Sequence, residues 1–176
     1  MSEPRRASVL AAVEALSPSD ARERTSRERI LAACHPTAPD PFDNAALSHL
    51  TASAIVVSQE GVLLHFHKRL KMWLQPGGHI DEGELPWLGA LREVLEETGL
   101  VGQLEGATPD LLHVDVHQAG PHLHYDLRYL VRASGPPSPG PDESPEVAWF
   151  DWASAMRIAD AGLIGALLAA QRRLIR

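Results

Sequence analysis

Between Gly78 and Leu100 the chain reads GHIDEGELPWLGALREVLEETGL, and this stretch restricts its fold and chemistry most. Leu85–Thr98 is rich in helix formers and Gly99 is a natural stop, so a helix is expected there. Glu93 and Glu97 stand four apart on it, and Glu93 and Glu96 three apart. Three carboxylates therefore share one side, with Arg92 beside them. Like charges at that spacing repel, and near an apolar core the cost grows unless a cation sits between them. Oxygen ligands at this density suit Mg²⁺ or Mn²⁺, whereas zinc prefers nitrogen and sulfur. Trp87, Leu88, Leu91 and Leu95 are expected to supply the buried face. Gly77-Gly78 lets a backbone carbonyl approach a metal closely. Glu84, where the loop meets the helix, is placed to reach Arg92 and fix the loop. Taken alone, the helix also reads as an ordinary solvated amphipathic helix.

Charge supports the cation reading. The whole chain of 176 residues carries −7, and Gly78–Leu100, with six acids against Arg92 alone, accounts for −5 of it. Residues 1–33 come to +1, 34–77 to 0 and 101–176 to −3. No basic face is indicated, so no nucleic-acid surface is expected. No run of apolar residues is long enough for a transmembrane helix, and no secretory signal is evident. A single cysteine, Cys34, excludes an internal disulfide and fits a cytoplasmic setting.

Along the chain, residues 8–16 and 19–33 read as helices, with Ser19 or Asp20 as cap of the second. Three prolines in 34–44 suggest a linker. Leu50–Val57 and Val62–Phe66 form a hairpin signal, and Leu111–His117 with His122–Arg132 another. Residues 134–141 are a rigid loop, Glu146–Phe150 a last strand, and 152–174 helical with a break expected near Gly162 or Gly165. Helices and strands mix without a βαβ rhythm, which favours an α+β class or a mixed-sheet sandwich. The division expected is an N-terminal helical extension and linker over 1–47 and a main domain over 48–176.

The fixed positions of the acidic segment are Gly78, Glu84, Arg92-Glu93, Glu96-Glu97 and Gly99, with Val94 and Leu100 apolar. Chance would produce such a pattern on the order of once in ten million such chains. It resembles the Nudix box, G-x5-E-x7-R-E-U-x-E-E-x-G-U with U apolar, at every position. The runs HLTAS, WLQPGGH and H-x-D-x-R-Y resemble a bacterial-type subgroup of the same family. The resemblance implies an α/β/α sandwich around a mixed sheet. It implies Mg²⁺- or Mn²⁺-dependent hydrolysis, by water, of a nucleoside diphosphate linked to another moiety. It assigns Glu93, Glu96 and Glu97 to the metal together with the Gly77 carbonyl, and makes Arg92 and Glu84 an orienting pair. A general base is sought among the box glutamates or in a later loop, where Glu143 and Glu146 are the candidates.

Outside the box, Lys68, Arg69 and Lys71 either grip a phosphate or form a solvated turn, and His79, beside the two glycines, is a candidate substrate-side residue. His113, Asp115 and His117 share one strand face, as do His122, His124, Asp126 and Arg128. These are read either as a partly solvated face or, for His124, Asp126 and Arg128, as a wall of the substrate cleft; a zinc site there is disfavoured because no cysteine is near. Trp73 is assigned to the core. Three function classes are weighed. A metal-dependent pyrophosphohydrolase acting on a small nucleoside diphosphate derivative leads, and a homodimer is compatible with it. A nucleotide sensor would be expected to lose box glutamates, and none is lost. An isopentenyl-diphosphate isomerase would need a cysteine near Gln75–His79, and none is there.

Overall fold

Leu50, Ala52, Ala54 and Val56 turn to one side of a strand and Ile55 and Val57 to the other, and all are buried. Two-sided burial marks this strand, Ser48–Ser58 (β1), as the centre of a sheet covered on both faces. In the computed structural model, which describes residues 2–106 and 109–175, β1 is the spine of an eight-stranded mixed sheet. One edge of β1 pairs in parallel with His122–Arg132 (β7), from Ser48↔Leu123 to Val57↔Arg132. The opposite edge is shared. Gly77–His79 (β4) pairs with Thr51–Ser53, and Gly61–His67 (β2) pairs with Val56–Ser58, both antiparallel. β2 carries Val147–Phe150 (β8) on its far edge and, beyond its contact with β1, Met72–Leu74 (β3) on the near one, so that His65 pairs with both Val147 and Leu74. β7 carries Leu111–Ala119 (β6) and Gln103–Leu104 (β5).

The helices form the two outer layers. Pro86–Thr98 (α3) and Ser2–Ala15 (α1) cover one face, where Val9, Val13, Ala90 and Val94 join Leu50, Ala54 and Leu127 in one buried cluster. Trp152–Ile158 (α4) and Ala161–Leu174 (α5) cover the other, packing Ala155, Leu163 and Leu167 on Ile55, Val62 and Leu130. Ala21–Ala33 (α2) lies along β6, whose Val116 N–H donates to Ser26 Oγ at 3.0 Å. That contact protects a sheet edge. The arrangement is the α/β/α sandwich, of α+β class, expected from the sequence, preceded by two N-terminal helices.

Several local expectations shift. The buried stripe of α3 is Pro86, Ala90, Val94 and Thr98, while Leu88 and Leu95 are about half exposed. The helix is turned so that its glutamates face the glycine loop, and this carries those two leucines outward. Residues 34–44 are not a free tether: Arg6 donates to the carbonyls of His35, Ala38 and Pro39 at 2.7, 3.1 and 3.3 Å, and Phe42 is buried. Asp20 caps α2, accepting from Glu23 N–H at 2.8 Å. The C-terminal helix breaks at Ala159-Asp160, where Asp160 caps α5 by accepting from Leu163 N–H at 2.7 Å. Gly162 and Gly165 lie inside α5 because β6 presses there. A Cβ on them would stand 2.7 Å from Asp115 Oδ2 and 2.8 Å from His113 Nε2. Trp73 packs edge-on against Phe66 and Phe150, half-buried against the core.

Candidate active site

β4 brings backbone rather than side chain to the box helix. Gly78 has room for no Cβ, which would lie 2.5 Å from Glu93 Oε1. Gly77 donates its N–H to Glu97 Oε2 at 2.9 Å. Glu93 and Glu97, one turn apart on α3, thus lie over the paired glycines. Arg92 ties loop and helix together. It donates to both Glu84 oxygens at 3.1 Å, to the His79 carbonyl at 2.8 Å, to Glu93 Oε1 at 2.9 Å and to Glu96 Oε2 at 3.0 Å. Glu84 in turn accepts from Asp81 N–H at 2.9 Å. The reach from Glu84 to Arg92 expected from the sequence is therefore made, with fork geometry on both sides.

The charges here are not balanced. One guanidinium serves Glu84, Glu93 and Glu96 at once. Burial raises the Glu93 carboxyl above its ordinary range against the pull of Arg92. Burial, with help from Glu93, Glu143 and Glu96, pushes Glu97 up to about 8 despite the Gly77 N–H. His65 Nδ1 lies 3.6 Å from Glu97 Oε1, but burial holds that imidazole down at about 4, so it brings no positive charge at neutral pH. Half-buried carboxylates short of positive charge are a hard-oxygen donor set, and Mg²⁺ or Mn²⁺ fits it.

The loop after β7 reaches the same place. Ser138 N–H donates to the Thr98 carbonyl at 2.8 Å, and Glu143 N–H to the Gly140 carbonyl at 3.1 Å. Glu143 lines a groove with His65, Lys68 and Arg69, close enough to raise both Glu93 and Glu97. Glu146 instead gives its carbonyl to Phe66 N–H at 2.8 Å, leading into β8.

Beside the glycines opens a cleft of about 290 Å³, lined by Arg69, Gln75, Gly77, His124, Asp126 and Arg128 among others. The strand face considered from the sequence is divided: His113, Asp115, Asp126 and Arg128 are buried, while His117, His122 and His124 are half-buried. Asp126 accepts from Thr51 Oγ1 at 3.2 Å, Ser53 Oγ at 2.8 Å and Arg128 Nε at 2.7 Å. Arg128 also donates to the Gly162 carbonyl at 2.7 Å, and its Nη2 lies 3.5 Å from Asp115 Oδ2. Arg22 of α2 completes the network with two bonds to Asp115 at 2.7 and 3.0 Å. Burial works against both aspartates, yet hydrogen bonds with His117 and Arg22 hold the Asp115 carboxyl below the ordinary range, and Arg128 holds that of Asp126 there. Burial and neighbouring imidazoles push His124 down to about 4 and lower His79 too.

The site thus gathers Gly77, Glu84, Arg92, Glu93, Glu96, Glu97 and Glu143 around the glycine loop, and Arg69, His124, Asp126 and Arg128 around the cleft. His79 joins the two through its carbonyl. Sequence reasoning missed Arg22 and His49. His49 faces His79 and His124, each with ring centroids 4.9 Å away. The signal for His49 lay in the parallel pairing of β1 with β7, and that for Arg22 in the packing of α2 on β6, neither of which local patterns reveal. Cys34 is buried on the α1 side, with its thiol pushed up to about 12 by burial, and it offers no nucleophile to the loop.

Comparison with known proteins agrees with this geometry. The chain is 33% identical over 87 residues to the "Probable DHNTP pyrophosphohydrolase" of Lactococcus lactis subsp. cremoris, a match covering 47% of this chain and 52% of that one. It is 36% identical over 98 residues to the "RNA pyrophosphohydrolase" of Rhizobium meliloti, covering 47% and 58%. The chain spans about half the length of these curated relatives. A crystal structure of a NUDIX-family hydrolase from Clostridium perfringens superposes with a TM-score of 0.63 at 28% identity, over 73% of this chain and 98% of that one. The profile of the NUDIX domain matches residues 47–171, most of the sheet, α3 and both C-terminal helices, and the chain belongs to that family.

Proposed function

We propose that this protein is a divalent-metal-dependent pyrophosphohydrolase that cleaves a nucleoside diphosphate linked to another moiety. The observation that carries the reading is the Glu93–Glu97 pair over Gly77-Gly78, short of positive charge and braced by Arg92. Glu93, Glu96, Glu97 and the Gly77 carbonyl would hold Mg²⁺ or Mn²⁺. When bound, the ion would offset charge on the pyrophosphate and lower the pKa of water. The protein's own part is positioning and electrostatics. Arg92 and Glu84 fix the loop against the helix, so that the metal-binding carboxylates keep one geometry. Water attacks one phosphorus, the bridging P–O bond breaks, and the two phosphate ends depart as separate products. Glu143, which lines the adjoining groove with His65 and Arg69, would take the proton of that water. Arg69 and His124 would face the substrate from the cleft, with His79 beside the glycines, and Asp126 with Arg128 would form the cleft's rigid floor. A cytoplasmic setting suits both the substrate class and the lone thiol.

The test is a panel of dNTPs, ADP-ribose, NADH, dinucleoside polyphosphates, nucleotide sugars and coenzyme A at about 5 mM Mg²⁺. Products are resolved by chromatography, with Glu97→Gln run in parallel. The expected result is turnover of one substrate class, abolished by EDTA and slowed by roughly a thousandfold in Glu97→Gln. Turnover that survives EDTA or the substitution overturns the reading.

A further inference from the structure

Three imidazoles from three strands converge beside the glycine loop. His49 and His124 are register partners in the parallel β1–β7 ladder, and His79 ends β4 opposite Thr51. His79 and His124 are 5.7 Å apart by ring centroid, and each is 4.9 Å from His49. One ring nitrogen of each lies within 4.8 Å of those of the other two.

The state of His49 is fixed by its surroundings. Its Nδ1 lies 2.9 Å from the Ala46 carbonyl. A carbonyl only accepts, so Nδ1 carries a proton and Nε2 is left as the ligating nitrogen. The ring is completely buried, and that Nε2 has no hydrogen-bond partner among the described residues. A buried acceptor without a donor is costly, and none of the neighbouring side chains relieves it. His122 Nδ1 lies 3.1 Å from the same Ala46 oxygen, so two rings brace against one carbonyl. An Nδ1–H bond to a carbonyl is the contact that orients a metal-bound imidazole from behind.

We propose that His49, His79 and His124 form a second metal site, separate from the box carboxylates, that takes a late first-row divalent ion, Zn²⁺ foremost, through three imidazole nitrogens. A set of nitrogens alone suits zinc, cobalt, nickel or copper and serves Mg²⁺ poorly. Zinc–nitrogen bonds of about 2.0–2.1 Å place tetrahedral nitrogens roughly 3.4 Å apart. Ring rotation closes the remaining distance, and His79 and His124, exposed and half-buried, are free to rotate while His49 stays fixed. His124 also lines the cleft, so the ion borders it. Its fourth position would take water or an anionic oxygen of the cleft's occupant. The site stands whether or not the chain cleaves a pyrophosphate.

The experiment uses the full chain, stripped of metal and titrated with Zn²⁺ against a chromophoric chelator, and in parallel with Co²⁺ followed by visible absorption. The variants are His79→Ala and His124→Ala, both at accessible positions, with Glu97→Gln as the control for the carboxylate site. One zinc per chain is expected, together with the intense visible bands of low-coordinate Co²⁺. Either histidine variant should weaken binding by more than the roughly 10–100-fold that losing an outer-shell partner costs. Glu97→Gln should leave it intact, and millimolar Mg²⁺ should not compete. The proposal falls if no zinc binds, if both histidine variants bind as the parent does, or if Glu97→Gln alone abolishes binding.

Discussion

Glu97→Gln separates what the carboxylate costs the fold from what it gives the site. The substitution keeps an oxygen to accept from Gly77 N–H at 2.9 Å and removes an ionisation that the fold opposes. Burial, chiefly, moves the Glu97 carboxyl from 4.5 to about 8. The folded state thus holds this proton more tightly than the unfolded chain. Its contribution is fully present below 4.5 and is lost as pH rises to about 8. At about 1.4 kcal/mol per pH unit, the displacement sets a ceiling of about 5 kcal/mol. Rotation of the side chain toward solvent leaves a working figure of about 2–3 kcal/mol, or roughly 4–12 °C in Tm for a chain of this size. Thermal melts in EDTA from pH 4.5 to 9 are the assay. Parent and variant should coincide at the acid end, diverge in favour of the glutamine form up to about pH 8, and stay apart beyond it. At pH 8.5, Mg²⁺ should raise the parent's Tm and leave the variant's almost unmoved. Parallel melting curves across the range, or a parent more stable than the variant at pH 8.5 in EDTA, would refute the argument that this carboxylate is held short of positive charge.

Gly78→Ala puts a methyl group 2.5 Å from Glu93 Oε1, the end of a flexible side chain, so the chain should fold normally while Mg²⁺ affinity falls roughly 10–100-fold by calorimetric titration; undiminished affinity would mean that Glu93 need not sit over the glycine. Arg22→Met removes the 2.7 and 3.0 Å bonds to Asp115, which keeps His117 at 3.2 Å and Arg128 at 3.5 Å. Breaking a fully buried pair costs about 3–5 kcal/mol; Arg22 is 45% exposed and Asp115 keeps Arg128 and its contact with His117, so about 1–2 kcal/mol, or roughly 2–8 °C in Tm, is expected. Because Asp115 is held below its ordinary 3.8, the difference should be complete at neutral pH and shrink as acid protonates it, and an unchanged Tm at pH 7 would show that the network adds nothing.

The box was legible because its contacts are local. Glu84 and Arg92 are separated by one loop and two helical turns, so spacing alone brings them together. The cleft was only half legible. Alternation correctly grouped His113 with Asp115, and His124 with Asp126 and Arg128. It did not reveal that this face is buried, because the burial comes from elements distant in sequence: Arg22, the glycines of α5 and Ser53 of β1. His49 stayed hidden for the same reason, since its partner in the ladder is His124. On α3 the larger apolar residues misled. Leu88 and Leu95 count as hydrophobic by type, but the sheet takes Ala90 and Val94, small enough for the helix to lie close to β1.

The N-terminal helices bear on this site more than their place outside the box suggests. Arg5 of α1 donates to the Asp81 and Glu84 carbonyls at 3.3 and 3.0 Å, holding the loop that Arg92 holds from the other side. Arg22 of α2 anchors the cleft's buried network from behind. A segment that merely decorated the domain would leave its arginines in water, where a surface charge contributes little. Here one helix reaches the loop that carries Asp81 and Glu84 and the other the cleft wall. The carboxylate cluster and the imidazole cluster share one backbone link, the His79 carbonyl bound to Arg92. Helices that steady both sides of that link hold two chemically different sites in register, and this argues that residues 2–33 serve to position the site as well as to cover the sheet.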